Sequence, residues 1–317
     1  MSLLKLENLK TCYFTPKGPV VAVDGVSFNL EKGETLGLVG ESGCGKSTTA
    51  LSIIGLLPSY AKILDGRVNF NGTEMTTLDH EGLRRIRGKE MSMVFQGSMQ
   101  ALNPLMKIGD QIAESVMQHE HCSKRKALRR AKELFKLVGI DPSRINSYQH
   151  ELSGGMRQRA MIAVALACQP KLLIADEPAT ALDVIVQARV LKLMRDLKDS
   201  HNISMILITH DLSVVAEICD RVAVMYGGKI VECADIFTLH SNPLHPYTQG
   251  LLNAFPSIKG PRRPLTSIPG TPPNLLNPPT GCRFHPRCPY VMDVCKVEEP
   301  KLIETTGKRT VACHLVK

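Results

Sequence analysis

Residues 40–47 read Gly40-Glu41-Ser42-Gly43-Cys44-Gly45-Lys46-Ser47, and they follow the apolar run Thr35-Leu36-Gly37-Leu38-Val39 without a break. A GxxxxGKS turn set between a strand and a helix is a demanding arrangement. The glycines let the backbone curl until its N–H groups face inward, and the helix that follows adds positive potential at its N-terminus. The reading predicts a strand over residues 35–39 and a helix over 46–57, which an α/β fold supplies. The chemistry of such a turn is phosphate binding. Gly40, Ser42, Gly43, Cys44 and Gly45 form the cradle, and Lys46 reaches the β- and γ-phosphates. Ser47 offers a hydroxyl to Mg²⁺, with Thr48 on the α-phosphate side.

Such a turn needs a second element to hold the metal and activate water. Leu172-Leu173-Ile174-Ala175 is an apolar strand that ends in Asp176 and Glu177. Asp176 is placed to hold Mg²⁺ through its shell, and Glu177, one residue further, is suited to polarise an attacking water as general base. Taken alone, the pair could equally cap the next helix; the phosphate turn favours the catalytic reading.

Around these motifs the pattern alternates. Residues 3–9 and 27–30 read as strands, as do 172–175, 203–209 and 222–226. Helices are predicted over 184–198 and 212–219. Alternation of this kind predicts a mostly parallel sheet covered by helices. Between about residues 97 and 169 the pattern is helical, with the basic segment 124–132 as one exposed face, and this reads as an insertion. No stretch approaches the 18 or so apolar residues that span a bilayer, and the N-terminus lacks a secretory layout. A cytosolic chain is expected, one that can still dock on a membrane protein.

Composition shifts near residue 243. Thirteen of the 20 prolines lie from there onward, which excludes long helices and central strands. Ten Lys or Arg stand against four Asp or Glu in the same stretch, within a chain of net charge +9. These charges are scattered singly with few aromatics, so a solvated surface is expected, with proximity to anionic lipid or an acidic partner as the alternative, and nucleic acid is not a predicted partner. Domain boundaries are therefore placed at residues 1–242 and 243–317.

The segment Leu152-Ser153-Gly154-Gly155-Met156-Arg157-Gln158 resembles the signature motif of the ABC ATPase family, in that family's order between phosphate turn and carboxylate strand. A Ser-Gly-Gly turn opening a helix presents N–H groups and a hydroxyl to an anion. The resemblance implies an ABC-type core with a parallel sheet, an antiparallel β subdomain and the inserted helical subdomain. It also implies ATP as substrate. Ser153, Gly154, Gly155 and Gln158 would then meet the γ-phosphate of ATP on a second subunit. By the same likeness Gln96 senses nucleotide and joins Ser47 and Asp176 at Mg²⁺. Asp183, in Ala181-Leu182-Asp183, crosses the dimer seam, and His210 is the switch histidine. Tyr13 stacks on adenine, with Phe14 as competitor. Met156 departs from the commonest signature, which has Gln there; a peptide-transporter branch often shows this form.

The tail motifs Asn242-Pro243-Leu244-His245-Pro246-Tyr247-Thr248 and Gly281-Cys282-Arg283-Phe284-His285-Pro286-Arg287-Cys288-Pro289 are similar to the C-terminal region of oligopeptide and dipeptide importer ATPases. That likeness implies a short-peptide cargo, with nickel as the alternative. The implied partners are a related ATPase subunit or second copy, two transmembrane permeases and an external peptide-binding protein. The implied location is the cytoplasmic face of the membrane. Within the tail, Cys282, Cys288, Cys295 and Cys313 offer four soft sulfurs, which suit an iron–sulfur cluster or a tetrahedral zinc. The wide spacing favours a 4Fe–4S cluster, which some similar importer ATPases carry; His285 and His314 are further ligands if zinc is bound. A cluster would cross-link a core-poor appendage. Non-transport ABC ATPases have long coiled-coil insertions or two cores, whereas this chain has one motif set and an insertion of about 70 residues. A regulatory subunit without turnover is disfavoured by the presence of both Glu177 and His210.

Overall fold

The structure, a computed structural model, describes residues 2–97, 101–180, 182–254, 268–307 and 309–316. Ala181 of the predicted seam loop falls outside them, as do five of the tail's ten basic residues, Lys259, Arg262, Arg263, Lys308 and Lys317. The chain forms two compact units. One comprises Glu31–Glu34 and Thr77–Leu207; the other comprises Ser2–Leu30, Thr35–Thr76 and Ile208–Lys317.

The unit carrying the phosphate turn opens with two long strands, β1 (Ser2–Thr15) and β2 (Gly18–Glu31). β1 lies between β2 and the antiparallel β4 (Ala61–Phe70), and β5 (Thr73–Glu74) extends the ribbon. β3 (Thr35–Val39) has the predicted bounds and is buried at every position. It runs parallel to β9 (Arg221–Tyr226), pairing Leu36 with Arg221 and Val39 with Val224. A strand covered on both faces reads as a continuous apolar run, which is why the sequence showed it plainly. β9 turns back into β10 (Lys229–Asp235), whose far edge pairs with β12 (Thr310–Val311), and β12 with β11 (Ile303–Glu304). Helices α1 (Lys46–Ile54), α7 (Leu212–Ile218), α8 (Ile236–Ser241), α9 (Pro246–Asn253) and the short α10 (Asp293–Val297) complete the unit.

The other unit is mainly helical. It holds α2 (His80–Ile86), α3 (Ile108–Glu120), α4 (Lys124–Leu137), α5 (Gly154–Ala165) and α6 (Val184–His201). β6 (Met91–Val94) and β7 (Leu172–Asp176) pair in parallel, Met91 opposite Leu172 and Val94 opposite Ala175. The chain passes between units inside β8 (Ser204–Thr209). α4 shows how a basic sequence still folds inward. Its Ala127, Ala131, Leu134 and Phe135 recur at helical spacing and are buried, while the lysines and arginines take the other face. Ser123 caps it by accepting from the Lys126 N–H. Strand pairing among the described residues is thus mixed, parallel in β3–β9 and β6–β7 and antiparallel in β9–β10, the tail strands and the opening ribbon.

The region after residue 243 is loop-rich, and it is fastened at two buried points. Tyr226, Tyr247 and Phe284 form an aromatic cluster with centroids 4.6–5.4 Å apart. Glu232, fully buried in β10, accepts from Arg309 Nε at 3.0 Å and from the N–H groups of Leu244 and His245 at 3.0 and 2.9 Å. Among the described residues no helix is long and apolar enough to cross a membrane.

Candidate nucleotide site

The turn at 40–47 takes the shape its glycines permit. Gly45 sits at the N-cap of α1 with φ 105°, a left-handed backbone that a side chain resists. A Cβ there would also collide with the Ala22 carbonyl oxygen. A Cβ on Gly43 would instead enter open space. α1 has no acidic residue in its first turn to compete with an anion. Lys46 is buried, and its ammonium donates to the carbonyls of Gly40 at 2.6 Å and Glu41 at 3.0 Å. Ser42 and Gly43 are exposed and Ser47 is half-buried. Burial pushes the Cys44 thiol above its ordinary pKa, against the pull of Lys46, so Cys44 is neutral packing beneath the turn. A cradle of this kind, cationic at its base and open at Gly43, fits a polyphosphate.

Tyr13 lies at the end of β1, half-buried, its hydroxyl 3.2 Å from Thr48 Oγ1. Its ring packs against that of Tyr60, centroids 5.9 Å apart. Phe14, the competitor, is exposed, and its N–H donates to the Tyr60 carbonyl at 2.8 Å. The sequence reading missed Tyr60, which is exposed and contributes a second aromatic beside Tyr13. No sequence signal marks it, because the pairing joins two strands' ends across 47 residues of chain.

In the helical unit the carboxylate strand ends as expected. Asp176 is the last, buried residue of β7. Glu177 follows at φ 48°, a left-handed backbone uncommon for any residue but glycine. Its carboxylate Oε2 accepts from Gln96 Nε2 at 3.0 Å and from Thr180 Oγ1 at 2.9 Å. Gln96 and Glu177, 81 positions apart, are thus brought together. Thr180 was not anticipated; it stands three residues after the acid, in a turn closed by its own N–H to the Glu177 carbonyl, and no sequence signal marks it.

Ser153 is exposed and caps α5, accepting from the Met156 N–H. Gly154 and Gly155 open that helix, and Gln158 is buried on its inner face. Gly155 has a local reason to be glycine as well: a Cβ there would stand 2.5 Å from Val186 Cγ1. Asp183 caps α6 through its side chain, accepting from the Val186 N–H at 2.9 Å. Beside it Val184 and Ile185 are 82% and 67% exposed, unusual for adjacent aliphatics. His210 stands exposed just after β8, and Asp211 caps the following α7.

Residues 23–180 match the ABC transporter family model, and residues 231–295 match that of the oligopeptide/dipeptide transporter C-terminal region. The oligopeptide transport ATP-binding protein AppD of Bacillus subtilis is 51% identical over 317 residues, covering 99% of this chain and 97% of the relative. This chain belongs to the ATP-binding subunits of the oligopeptide/dipeptide ABC transporter family. OppD of Escherichia coli, an oligopeptide transport ATP-binding protein, is 47% identical, with 98% and 93% covered. Among solved structures, the ATP-binding cassette MJ0796 in a dimeric post-hydrolysis state bound to ADP and Pi superposes with a TM-score of 0.67 at 27% identity. It covers 74% of this chain and 98% of that one. The protein is accordingly an ATP-hydrolysing ABC subunit.

For this family member the expected metal centre in the tail is corrected. Among the described residues no group of three or more His, Cys, Asp or Glu is arranged to hold a metal ion. Neither the 4Fe–4S cluster on Cys282, Cys288, Cys295 and Cys313 nor the zinc alternative stands. All four cysteines are free thiols. Burial pushes Cys282 up to about 11 and raises Cys288 and Cys313 as well, favouring the neutral thiol where a soft metal wants thiolate. His285 Nδ1 faces the Cys282 carbonyl and His314 Nε2 the Glu298 carbonyl, both at 3.0 Å. The expectation assumed a tail with no other means of holding together. The aromatic cluster and the Glu232–Arg309 pair supply that means.

Proposed function

We propose that this chain binds ATP on the turn at residues 40–48, hydrolyses it with Glu177 as general base, and so drives import of short peptides. Lys46 bears on the β- and γ-phosphate oxygens, and the N–H groups around Gly43 and Gly45 receive the rest of the charge. Ser47, Asp176 and Gln96 would hold Mg²⁺, which supplies charge neutralisation at the phosphates when bound. The water oxygen attacks the γ-phosphorus, one of the water's two protons passing to Glu177 and the other staying on the phosphate formed. The bond to the bridging oxygen breaks, leaving ADP and phosphate, and His210 bears on the γ-phosphoryl oxygens. Tyr13 stacks on adenine with Tyr60 beside it.

The observation that carries the catalytic assignment is the grip on Glu177. A carboxylate held by Gln96 and Thr180 on a left-handed backbone has its orientation set before water arrives. Glu177→Gln keeps the shape and removes the basicity, so ATP binding persists while turnover falls about 100-fold or more. Near-normal turnover would remove Glu177 from that role.

The exposed Ser153 at the start of α5, and Asp183 with Val184 and Ile185 at the start of α6, support a face toward a second ATPase subunit. There Ser153, Gly154 and Gly155 meet the other subunit's ATP. The remaining partners in this reading are two membrane permeases and an external peptide-binding protein, with this chain at the cytoplasmic face of the membrane. Residues 1–242 are the ATPase domain, with residues 97–169 inserted, and 243–317 the extension. The relatives' names carry the choice of peptide over nickel. In proteoliposomes of the assembled transporter, peptide-loaded binding protein stimulates ATP hydrolysis and nickel does not; the reverse result would reassign the cargo.

A further inference from the structure

Among the described residues, Glu41 is the one member of the phosphate turn that the chain's last quarter holds by hydrogen bonds. Its backbone N–H donates to Tyr247 Oη at 2.9 Å. Its carboxylate receives a two-pronged pair from Arg287, Nη1 to Oε2 at 2.6 Å and Nη2 to Oε1 at 3.0 Å. Its carbonyl accepts from the Lys46 ammonium at 3.0 Å. Both ends and the side chain of Glu41 are therefore committed, and the position of Lys46 depends on where its carbonyl lies.

The two tail residues that grip Glu41 are themselves immobilised. Arg287 is nearly buried and uses all five of its donors. Besides the two on Glu41, Nε donates to the Pro269 carbonyl at 2.7 Å, Nη1 to Tyr226 Oη at 3.3 Å and Nη2 to the Ile268 carbonyl at 3.3 Å. Its guanidinium carbon lies 5.7 Å from the Tyr226 ring centroid. Tyr247 is fully buried in the aromatic cluster, and its N–H donates to His245 Nδ1 at 3.0 Å. The His245 N–H in turn rests on the buried Glu232. A chain of directed bonds thus runs from Glu232 in β10 to the second residue of the turn. Burial holds the Tyr247 phenol well above its ordinary pKa, so it stays neutral.

We propose that Arg287 and Tyr247 are positioning residues for the phosphate turn, acting through Glu41 to preset the carbonyls on which Lys46 rests and thereby setting the affinity for ATP. This rests on the reading that the turn at 40–47 holds the phosphates. A turn already ordered in its binding shape loses less entropy when nucleotide arrives, so freeing Glu41 weakens binding more than it slows chemistry. Lysine cannot reproduce the two-pronged pair, so it substitutes poorly for Arg287.

The test is a double-mutant cycle on the full chain, reading the Kd of a fluorescent ATP analogue, with KM and kcat for ATP measured on the assembled transporter. Arg287→Met is expected to raise Kd and KM about 5- to 30-fold with kcat within about threefold, and Arg287→Lys to recover only part of the loss. Glu41→Gln is expected to act alike, and the double variant to be no worse than either alone. Tyr247→Phe, which keeps the ring, raises Kd by a smaller factor; it carries the test if Arg287→Met does not yield folded protein. Lys46→Ala separates the premises. If Lys46→Ala still binds nucleotide normally, the phosphate-turn reading fails. If it loses binding while Arg287→Met and Tyr247→Phe merely lower Tm at unchanged Kd, the positioning role alone is overturned.

Discussion

At the scale of single residues, two contacts divide what the sequence could say from what it could not. Asp176 and Glu177 end an apolar strand, and that pattern is local, so both were legible. Thr180 was not, because a hydroxyl three residues on is unremarkable until the chain turns left-handed at Glu177 and aims it at the carboxylate. A hydrogen bond to an ionised group is worth about 1.5–3 kcal/mol. Thr180→Val, similar in shape, is expected to lower kcat roughly tenfold while leaving the KM for ATP nearly unchanged; steady-state kinetics of the assembled transporter check it, and an unchanged kcat would remove Thr180 from the site. Gly155 poses the opposite problem, since two demands coincide on it. Val186 requires a residue without Cβ, and the proposed partner phosphate requires open N–H groups. Gly155→Ala is expected to destabilise the chain by about 1–3 kcal/mol through overpacking. Adding Val186→Ala should restore Tm. If it restores ATPase activity equally, only the packing demand is real.

At the scale of elements, α9 shows how a short helix in a proline-rich stretch is secured. Pro246 takes the first helical position, where no N–H is needed, and His245 caps the helix by accepting from the Tyr247 N–H through Nδ1. The sequence reading expected no long helix here, and it did not place α9, because eight residues carry too little periodicity. The cap also has a pH dependence. Burial lowers the His245 pKa from 6.5 to about 4, only partly offset by the charge of Glu232. Between those values the unfolded chain binds more protons than the folded one, so stability increases with pH there. The contribution is full above about pH 6.5 and is lost as pH falls toward 4, to a limit of about 3 kcal/mol. Urea unfolding midpoints of the full chain should therefore drop from pH 7 to pH 5. His245→Asn, which keeps an acceptor at the cap without titrating, should flatten that slope; an undiminished slope would assign the effect to other groups.

At the scale of the whole chain, legibility tracked sequence separation. The strand, turn and helix at residues 35–54, the β7 carboxylates and the cap at Ser153 are each written within a stretch of 20 residues or fewer. The bonds that hold the tail join residues 77 and 246 positions apart, and no periodicity encodes them. That is why four cysteines looked like the tail's fastening while Glu232 in β10 went unnoticed. A carboxylate with no exposure, fed by Arg309 and two backbone N–H groups, is a different kind of fastening. Its energetics are asymmetric. Replacing such a pair by apolar residues is often neutral, whereas removing one partner strands a buried charge at a cost of about 3–5 kcal/mol. Arg309→Met is thus expected to lower Tm of the full chain by about 5–10 °C. The double variant Glu232→Gln with Arg309→Met should be markedly more stable than Arg309→Met alone, because the amide left behind carries no charge and still accepts from Leu244 and His245. Differential scanning calorimetry decides between the two views of the tail. If Arg309→Met melts like the parent, the Glu232 hub is ornamental and the hold on the tail lies in the aromatic cluster of Tyr226, Tyr247 and Phe284.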